Sequence, residues 1–165
     1  MARLGPSMRA LYRAPLVAYR LGLAGREHWI GMHWILIVTR GRRSGREHAV
    51  LLDRLGDDPT RGRYYVQAAY GRNADWVRNV EAHPAFEAQV GTERFAARME
   101  TAPDSEARAV MLAYVRAHSF YSPFIARMLG YPGSMRDTQA VADWLVDRFG
   151  MLAIVRSSSE LRRSQ

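Results

Sequence analysis

The chain has 165 residues, is 48% hydrophobic and 24% charged, and contains 24 arginines but no lysine and no cysteine. This length suits one domain over residues 1–165, and the composition is that of a globular rather than a disordered chain. The lack of cysteine excludes a disulfide framework and a thiolate metal site, and the lack of lysine excludes a Schiff base. The net charge of +8 predicts an anionic partner: nucleic acid, anionic lipid or a multiply charged small molecule.

The N-terminal segment, residues 1–25, predicts an amphipathic helix over about 7–24. Its apolar stripe consists of Met8, Tyr12, Leu16, Tyr19 and Leu23. Arginines interrupt any signal-peptide core, and the longest strongly apolar run is far too short to span a membrane, so we expect a cytoplasmic protein. The helix either packs on its own domain or lies at the inner face of an anionic membrane, and both interpretations stay open.

Three strands are predicted next, at about 34–40, 46–55 and 63–69. A glycine-bounded turn at 41–45 separates the first two, and a breaker-rich turn at 56–62 separates the second from the third. Consecutive strands joined by short turns form an antiparallel meander.

The second half of the chain mixes helices and strands. Helices are predicted at about 74–82, 104–118, 123–130 and 137–147, with Asn73 as the cap of the first, and strands at about 85–90, 93–100 and 151–155. Residues 157–165 form a polar tail that we expect to be flexible. About six mostly consecutive strands with inserted helices indicate an α+β fold: a mostly antiparallel closed or split β-barrel, whose closure removes exposed sheet edges.

The sharpest local feature is the run Arg40-Gly41-Arg42-Arg43-Ser44-Gly45-Arg46. Four arginines and one hydroxyl lie on a single tight turn, and the two glycines allow backbone N–H groups to approach a ligand closely. A phosphate or carboxylate would meet forked guanidinium donors there, so the run predicts an anion site. The alternative is a solvated, charged hairpin tip.

A second feature follows the third strand, in the run from Tyr70 to Asn79. Gly71 at the strand end permits close approach to a flat ligand, and Arg72 adds charge. Trp76 and Asn79 share one helix face, where the indole supplies an apolar wall and the amide offers a donor and an acceptor to a heterocycle. Alternatively, Trp76 belongs to the core and Asn79 caps the helix end.

Other residues give weaker signals. His28 and His33 have no carboxylate at ligand spacing, so no metal site is predicted. His118, near Tyr121, is on its own more typical of a partly buried histidine than of a base. The lack of a nucleophile elbow and of a carboxylate pair favours an enzyme whose cofactor supplies the chemistry. Aromatic residues are not interleaved with arginines along exposed strands, so a nucleic-acid-binding module is the lesser alternative.

Two spaced motifs make the chain similar to the deazaflavin-dependent nitroreductase family, within the split β-barrel, flavin-reductase-like superfamily. Residues 36–46 resemble a family strand that ends in Thr and is followed by Gly-Arg-Lys/Arg-Ser/Thr-Gly. Residues 75–80 resemble a family pattern with Trp and Asn three residues apart, and Ala82-His83-Pro84 resembles the Ala-Asn-Pro that follows it. The motifs occur in the family's order, and the resemblance spans nearly the whole chain.

The resemblance implies that a reduced 5-deazaflavin, coenzyme F-420, donates a hydride to an electron-poor acceptor such as a quinone, an enone or a nitroaromatic. The residues it assigns to this anionic coenzyme are Thr39, Arg42, Arg43, Ser44, His48, Ala69, Tyr70, Gly71, Arg72, Trp76 and Asn79. His48 stands where many relatives carry an arginine. Tyr121 and His118 are the candidates for supplying a proton. FMN as the coenzyme, and coenzyme binding without reductase activity, are the alternatives.

Overall fold

The computed structural model describes residues 33–68 and 71–157, and for Arg72 the backbone alone. The strands are β1 (Trp34–Arg40), β2 (Glu47–Asp58), β3 (Arg63–Val66), β4 (Phe86–Val90), β5 (Glu93–Thr101) and β6 (Leu152–Arg156). The helices are α1 (Asp75–Ala82), α2 (Asp104–Ala117), α3 (Ser122–Met128) and α4 (Thr138–Phe149), and a 3-10 turn covers Gly71–Asn73. The predicted N-terminal helix within residues 1–25, the tail beyond Ser157, and the candidates Ala69 and Tyr70 lie outside the described residues.

The six strands form one closed barrel in the order β1-β2-β3-β6-β5-β4. Every pairing among them is antiparallel, and the pairing of β1 with β4 closes the ring. Most neighbours are consecutive in the chain, while β6 returns from the C-terminal region to lie between β3 and β5. The predicted α+β fold with an antiparallel barrel is therefore confirmed.

Because side chains alternate along each strand, the apolar residues form two cores: an interior core inside the barrel, and a second core between the outer face of the barrel and the helices. On β3, Val66 packs inside the barrel with Ile154 of β6, whereas Tyr65 faces outward. Helix α1 contributes Trp76 and Val77 to the interior core, and α2, α3 and α4 cover the outer face of β3 and β6. Helix α1 is thus held directly against the barrel that carries the basic turn.

Helix α4 shows how local sequence sets an element's limits. It begins after Asp137, whose carboxylate accepts a hydrogen bond from the N–H of Ala140 (3.0 Å). It ends at Gly150, whose φ of 66° lies in the left-handed region that favours glycine. Among the described helices, none has both the length and the apolar character that a membrane crossing requires.

The end of β2 departs from the sequence prediction. Residues 56–58 were expected to be a turn, but they continue the strand because Gly56 pairs with Tyr65 beyond an irregularity after Arg54. A Cβ added to Gly56 would lie 2.9 Å from Val110 of α2. This glycine therefore serves close helix–strand packing rather than a turn.

Two further boundaries differ from those predicted. Strand β3 ends at Val66 rather than near residue 69, and the side-chain amide of Gln67 instead donates to the carbonyl oxygen of Leu145 (2.9 Å). The cap of α1 is Ala74 and not Asn73, because the side-chain oxygen of Asn73 accepts a hydrogen bond from Arg78 (2.7 Å).

Candidate functional site

The two sequence motifs meet where the turn after β1 lies beside α1. The Oδ1 atom of Asn79 accepts hydrogen bonds from the backbone N–H (3.2 Å) and from a guanidinium N–H (3.0 Å) of Arg42. The same guanidinium forms an ion pair with Asp75 at 2.9 Å. Arg42 therefore fixes the basic turn to the helix that follows β3.

The turn is also closed by its own backbone. The N–H of Gly45 donates to the carbonyl of Gly41 (2.8 Å), and the N–H of Gly41 donates to the carbonyl of Arg46 (2.8 Å). At Gly41 an added Cβ would lie only 2.7 Å from both Ser44 Oγ and His48 Nε2. The glycine thus lets the side chains of Ser44 and His48 pack directly against the backbone of the turn.

A cavity of about 340 Å³ opens between the turn and α1. Its lining comprises Gly41, Arg42, Arg43, Ser44, His48, Ala49, Val50, Asp75, Trp76 and Asn79. The side formed by the turn is polar and cationic, and the side formed by β2 and the indole is apolar. An apolar wall facing a few convergent polar groups is typical of a small-molecule site.

Charge in this cavity is divided between paired and unpaired groups. Asp75 is the only acidic residue among the described lining, and Arg42 neutralises it. Arg43 is exposed, and no carboxylate in the described part of the chain pairs with it. The cavity therefore offers Arg43, Ser44 and His48 to an incoming anion, while Arg42 holds the turn in place.

These residues fit a multiply charged coenzyme. Guanidinium and hydroxyl donors match phosphate and carboxylate oxygens, and the single acid of the lining is already compensated. Ser44 and His48 lie side by side on the cavity wall, with Ser44 Oγ 3.5 Å from His48 Nε2. The adjoining wall of Trp76 and Val50 suits an aromatic ring rather than another charge.

A larger groove of about 780 Å³ runs over the outer face of β1 and β4. Its lining carries charges of both signs: Arg40 and Arg94 lie beside Glu47 and Glu87. Thr39, predicted to bind the coenzyme, borders this groove, and its hydroxyl donates to the carbonyl oxygen of His48 (3.2 Å). Because the groove also carries the acids Glu47 and Glu87, whereas the one acid of the smaller cavity is paired with Arg42, we assign the candidate coenzyme site to the smaller cavity.

A second polar cluster lies at the other end of the β1–β2 hairpin. It consists of Asp53, Tyr114, His118 and Tyr121 and is called the acid–phenol cluster below. Asp53, which pairs with Trp34 in the register, accepts a hydrogen bond from the hydroxyl of Tyr114 on α2. That hydroxyl lies 3.1 Å from the hydroxyl of Tyr121. The ring of His118 contacts both tyrosine rings, at centroid distances of 4.4 and 5.3 Å. A largely buried acid is thus linked through one phenol to a second, half-buried phenol.

Burial controls protonation in this cluster. Desolvation raises the pKa of Asp53, while the hydrogen bond from Tyr114 and the charges of His118 and His33 oppose that rise. The Oδ1 atom of Asp53 is buried and has no hydrogen-bond partner among the described residues. Desolvation also raises the pKa of Tyr114 and of Tyr121, so both phenols stay protonated at neutral pH.

Strand β2 contributes residues to both the candidate coenzyme site and the acid–phenol cluster. Glu47 pairs with the last residue of β1 at the turn, and Asp53 pairs with its first, which separates them by about 20 Å at roughly 3.3 Å per residue. Strand β3 ends at Val66, which pairs with Arg54 next to Asp53, whereas α1 begins at Asp75, which lines the cavity.

Residues 13–126 match the F420H(2)-dependent quinone reductase family. The matched range contains the basic turn, α1 and the acid–phenol cluster. The chain belongs to this family. Membership confirms the resemblance drawn from the two motifs, and it makes F-420 the coenzyme to which the family points.

Several solved structures are similar to this family member. One described as a domain-swapped dimer has a TM-score of 0.50 at 19% identity, covering 92% of this chain and 100% of that one, and supports the fold. A second, described as an F420-H2 dependent reductase (FDR-A), has a TM-score of 0.47 at 23% identity and coverages of 74% and 93%. A pyridoxamine 5'-phosphate oxidase-related, FMN binding protein from Nostoc punctiforme has a TM-score of 0.45 at 16% identity and coverages of 93% and 81%. No curated protein matches the chain.

The structure brings most of the described coenzyme candidates of this reductase-family chain together. Those in the cavity are Arg42, Arg43, Ser44, His48, Trp76 and Asn79. Trp76 is 8% exposed and belongs to the core while also lining the cavity, and the amide oxygen of Asn79 is bonded to the turn. Gly71 starts the 3-10 turn with a φ of 58°, and the side chain of Arg72 lies outside the described atoms.

Sequence reasoning missed Asp53, Tyr114 and the partner role of Asp75. Asp53 is followed by Arg54, and two adjacent charged residues after an apolar run are typical of a strand that reaches solvent, while Tyr114 belongs to an apolar helix stripe. The available signal is the spacing of Tyr114, His118 and Tyr121 by four and seven residues, which places the three on one side of a helix and its end.

Proposed function

We propose that this chain catalyses hydride transfer from reduced F-420 to an electron-poor acceptor, with a quinone favoured over an enone or a nitroaromatic. The observation that carries the proposal is the set of bonds from Arg42 to Asn79 and Asp75, which join both family motifs around one cationic cavity. The quinone preference comes from the family to which the chain belongs.

The cavity residues have two proposed roles: some would bind the charged groups of the coenzyme, and others would keep the turn in position. Arg43, Ser44 and His48 would bind the phosphate and carboxylates of the coenzyme, because these three exposed residues line the cavity. Arg42 acts as a positioning residue through Asn79. When bound, the reduced deazaflavin supplies the hydride.

Tyr121 is the proposed proton donor. The coenzyme would extend from the turn along β2, so that its ring and the acceptor reach the acid–phenol cluster about 20 Å from the turn. An acceptor that receives a hydride gains a negative charge on oxygen, and a proton delivered to that oxygen completes the two-electron reduction. With Asp53 ionised, Tyr114 donates to the carboxylate and Tyr121 donates to Tyr114. With Asp53 protonated, the direction of donation reverses, and the Tyr121 O–H is released toward the acceptor.

The coenzyme site is tested with Arg42→Ala combined with Arg43→Ala. Loss of the Arg43 contact, about 1.5–3 kcal/mol, together with the loosening of the turn that Arg42 holds, predicts F-420 binding at least about 100-fold weaker, measured by quenching of coenzyme fluorescence. The matched control is Arg40→Ala combined with Arg94→Ala, which removes the same charge from the separate groove and should change the dissociation constant less than about threefold.

If the two double variants lose equal affinity for F-420, the effect comes from net charge alone, and the assigned cavity is rejected. Titration with FMN in parallel tests the alternative coenzyme. Tight F-420 binding without turnover of any quinone would leave a coenzyme-binding protein rather than a reductase. The nucleic-acid alternative stays a prediction, to be tested by binding of oligonucleotides at low salt.

A further inference from the structure

The exposed large apolar side chains of the described residues are concentrated in one stretch. They are Phe120, Phe124, Ile125, Met128 and Met135, all between residues 120 and 135. Phe120 is 93% exposed, Met128 73% and Phe124 62%. Side chains this large are seldom left in water in such a group unless they meet a partner.

Helix α3 holds part of this apolar patch in a fixed position. Its inner face is buried at Pro123 and Ala126, so the outer face is directed away from the domain. The hydroxyl of Ser122 donates to the carbonyl oxygens of Val115 (3.2 Å) and His118 (2.9 Å), which ties the start of α3 to the end of α2. The outward apolar side chains therefore sit on an anchored element and not on a frayed one.

The charge around the patch has one sign. From residue 107 to residue 136 the chain contains four arginines and one histidine but no Asp or Glu. Arg108 is neutralised by three aspartates on α2 and α4, whereas Arg116, Arg127 and Arg136 form no ion pair within the described part of the chain. The apolar side chains are thus flanked by uncompensated positive charge.

We infer that this apolar patch, with its flanking arginines, docks the protein on an anionic lipid bilayer. Phenylalanine and methionine side chains enter the boundary between headgroups and acyl chains, and arginines contact the anionic headgroups. A second copy of the chain is the less favourable occupant, because a two-fold contact would bring the same uncompensated arginines against each other.

This docking would bring Tyr121 close to the lipid surface. Its ring makes an edge contact with Phe120 at a centroid distance of 6.0 Å. As far as this consequence rests on the proposed function, it favours an acceptor that is dissolved in the bilayer. The docking itself does not depend on catalysis, so the two ideas can fail separately.

Co-sedimentation of the full chain with vesicles tests the docking. The vesicles contain phosphatidylglycerol mixed with phosphatidylcholine, or phosphatidylcholine alone. We expect the partition coefficient to be at least about tenfold higher on the anionic vesicles. Phe124→Ser combined with Met128→Ser should lower it about tenfold, with unchanged cooperative thermal unfolding and unchanged reduction of a water-soluble quinone.

Two matched double variants distinguish attraction by the arginines beside the patch from the effect of the protein's net charge. Arg116→Gln combined with Arg136→Gln should weaken binding to anionic vesicles about tenfold. Arg94→Gln combined with Arg98→Gln removes the same net charge from β5, where both arginines pair with glutamates, and should change it less than about threefold.

Two results would overturn the inference. Undiminished pelleting of the Phe124→Ser, Met128→Ser variant would show that the membrane contact, if any, is made elsewhere in the chain. Conversion of a wild-type dimer to a monomer by the same variant, without any change in vesicle binding, would show that the patch joins two copies of the chain.

Discussion

The two ends of the β1–β2 hairpin differ in how their ionisable groups are exposed to solvent. At one end, the basic turn keeps Arg43 and Ser44 exposed, with their positions set by backbone bonds and by Arg42. At the other end, Asp53 is largely buried between β2 and α2 and bonded to Tyr114. One end presents permanent charge to solvent, and the other withdraws a titratable acid from it.

This difference suits two different tasks. An exposed guanidinium attracts an anion without losing much of its own hydration, so binding requires only that donors point the same way. A proton donor must instead be held in its protonated form until it is needed, and burial achieves this by disfavouring the charged state. Under the proposed function, one end of the hairpin would hold the coenzyme and the other would supply the proton.

Tyr121→Phe gives the largest expected effect because it removes the proposed proton donor and leaves the cavity intact. General acid catalysis contributes roughly 10²–10⁴-fold, so we expect kcat for quinone reduction to fall at least about 100-fold. F-420 binding, measured by fluorescence quenching, should change less than about twofold. The kinetics are to be followed by loss of coenzyme absorbance at saturating acceptor.

Tyr131→Phe is the matched control for this comparison. It makes the same chemical change at a buried tyrosine that packs edge-on against Trp144, outside the acid–phenol cluster. If Tyr121→Phe and Tyr131→Phe retain equal activity, the proton comes from water or from another residue, and the division of tasks between the two ends is wrong.

Asn79→Ala tests the other end, with a smaller expected effect. The change leaves the N–H of Arg42 without its acceptor beside a buried position, which costs about 1–3 kcal/mol in the free energy of unfolding. The loosened turn should also weaken F-420 binding about tenfold. Chemical denaturation and fluorescence titration measure the two quantities.

Asn73→Ala provides the comparison on the same segment. Asn73 also accepts a hydrogen bond from an arginine, Arg78, but both side chains are exposed, so the loss should stay below about 0.5 kcal/mol. Equal destabilisation by the two changes would show that the contact between Asn79 and Arg42 does not organise the turn.

The basic turn was predictable from sequence and the acid–phenol cluster was not, for a physical reason. The residues of the turn are contiguous, so one seven-residue run shows its charge and its glycines. Asp53 and Tyr114 are 61 residues apart and meet only because α2 packs across β2. An acid on a predicted strand gives no sign of which helix will cover it.

The fold shows the same limit. The six strands and four helices follow from periodicity and turn residues, because these signals are local. Gly56 and Asp57 are turn formers, yet they end a strand because pairing with β3 and contact with α2 override local preference. The role of Asn79 is likewise long-range, since its partner Arg42 lies 37 residues away.

The pH dependence of stability gives the smallest expected effect and tests burial at Asp53 directly. Because the pKa of Asp53 is higher in the folded than in the unfolded chain, the folded state binds more protons above pH 3.8, and stability is lost as pH rises through the folded pKa. Asp53→Asn lacks this loss, so its free energy of unfolding relative to wild type should increase between pH 4 and pH 7, measured by urea denaturation. Tyr114→Phe should steepen the loss, because it removes a hydrogen bond that lowers the pKa of Asp53 against the effect of desolvation. Parallel profiles for wild type and both variants would mean that Asp53 titrates as if it were in solvent, and the contrast between the two ends of the hairpin would then be one of position alone.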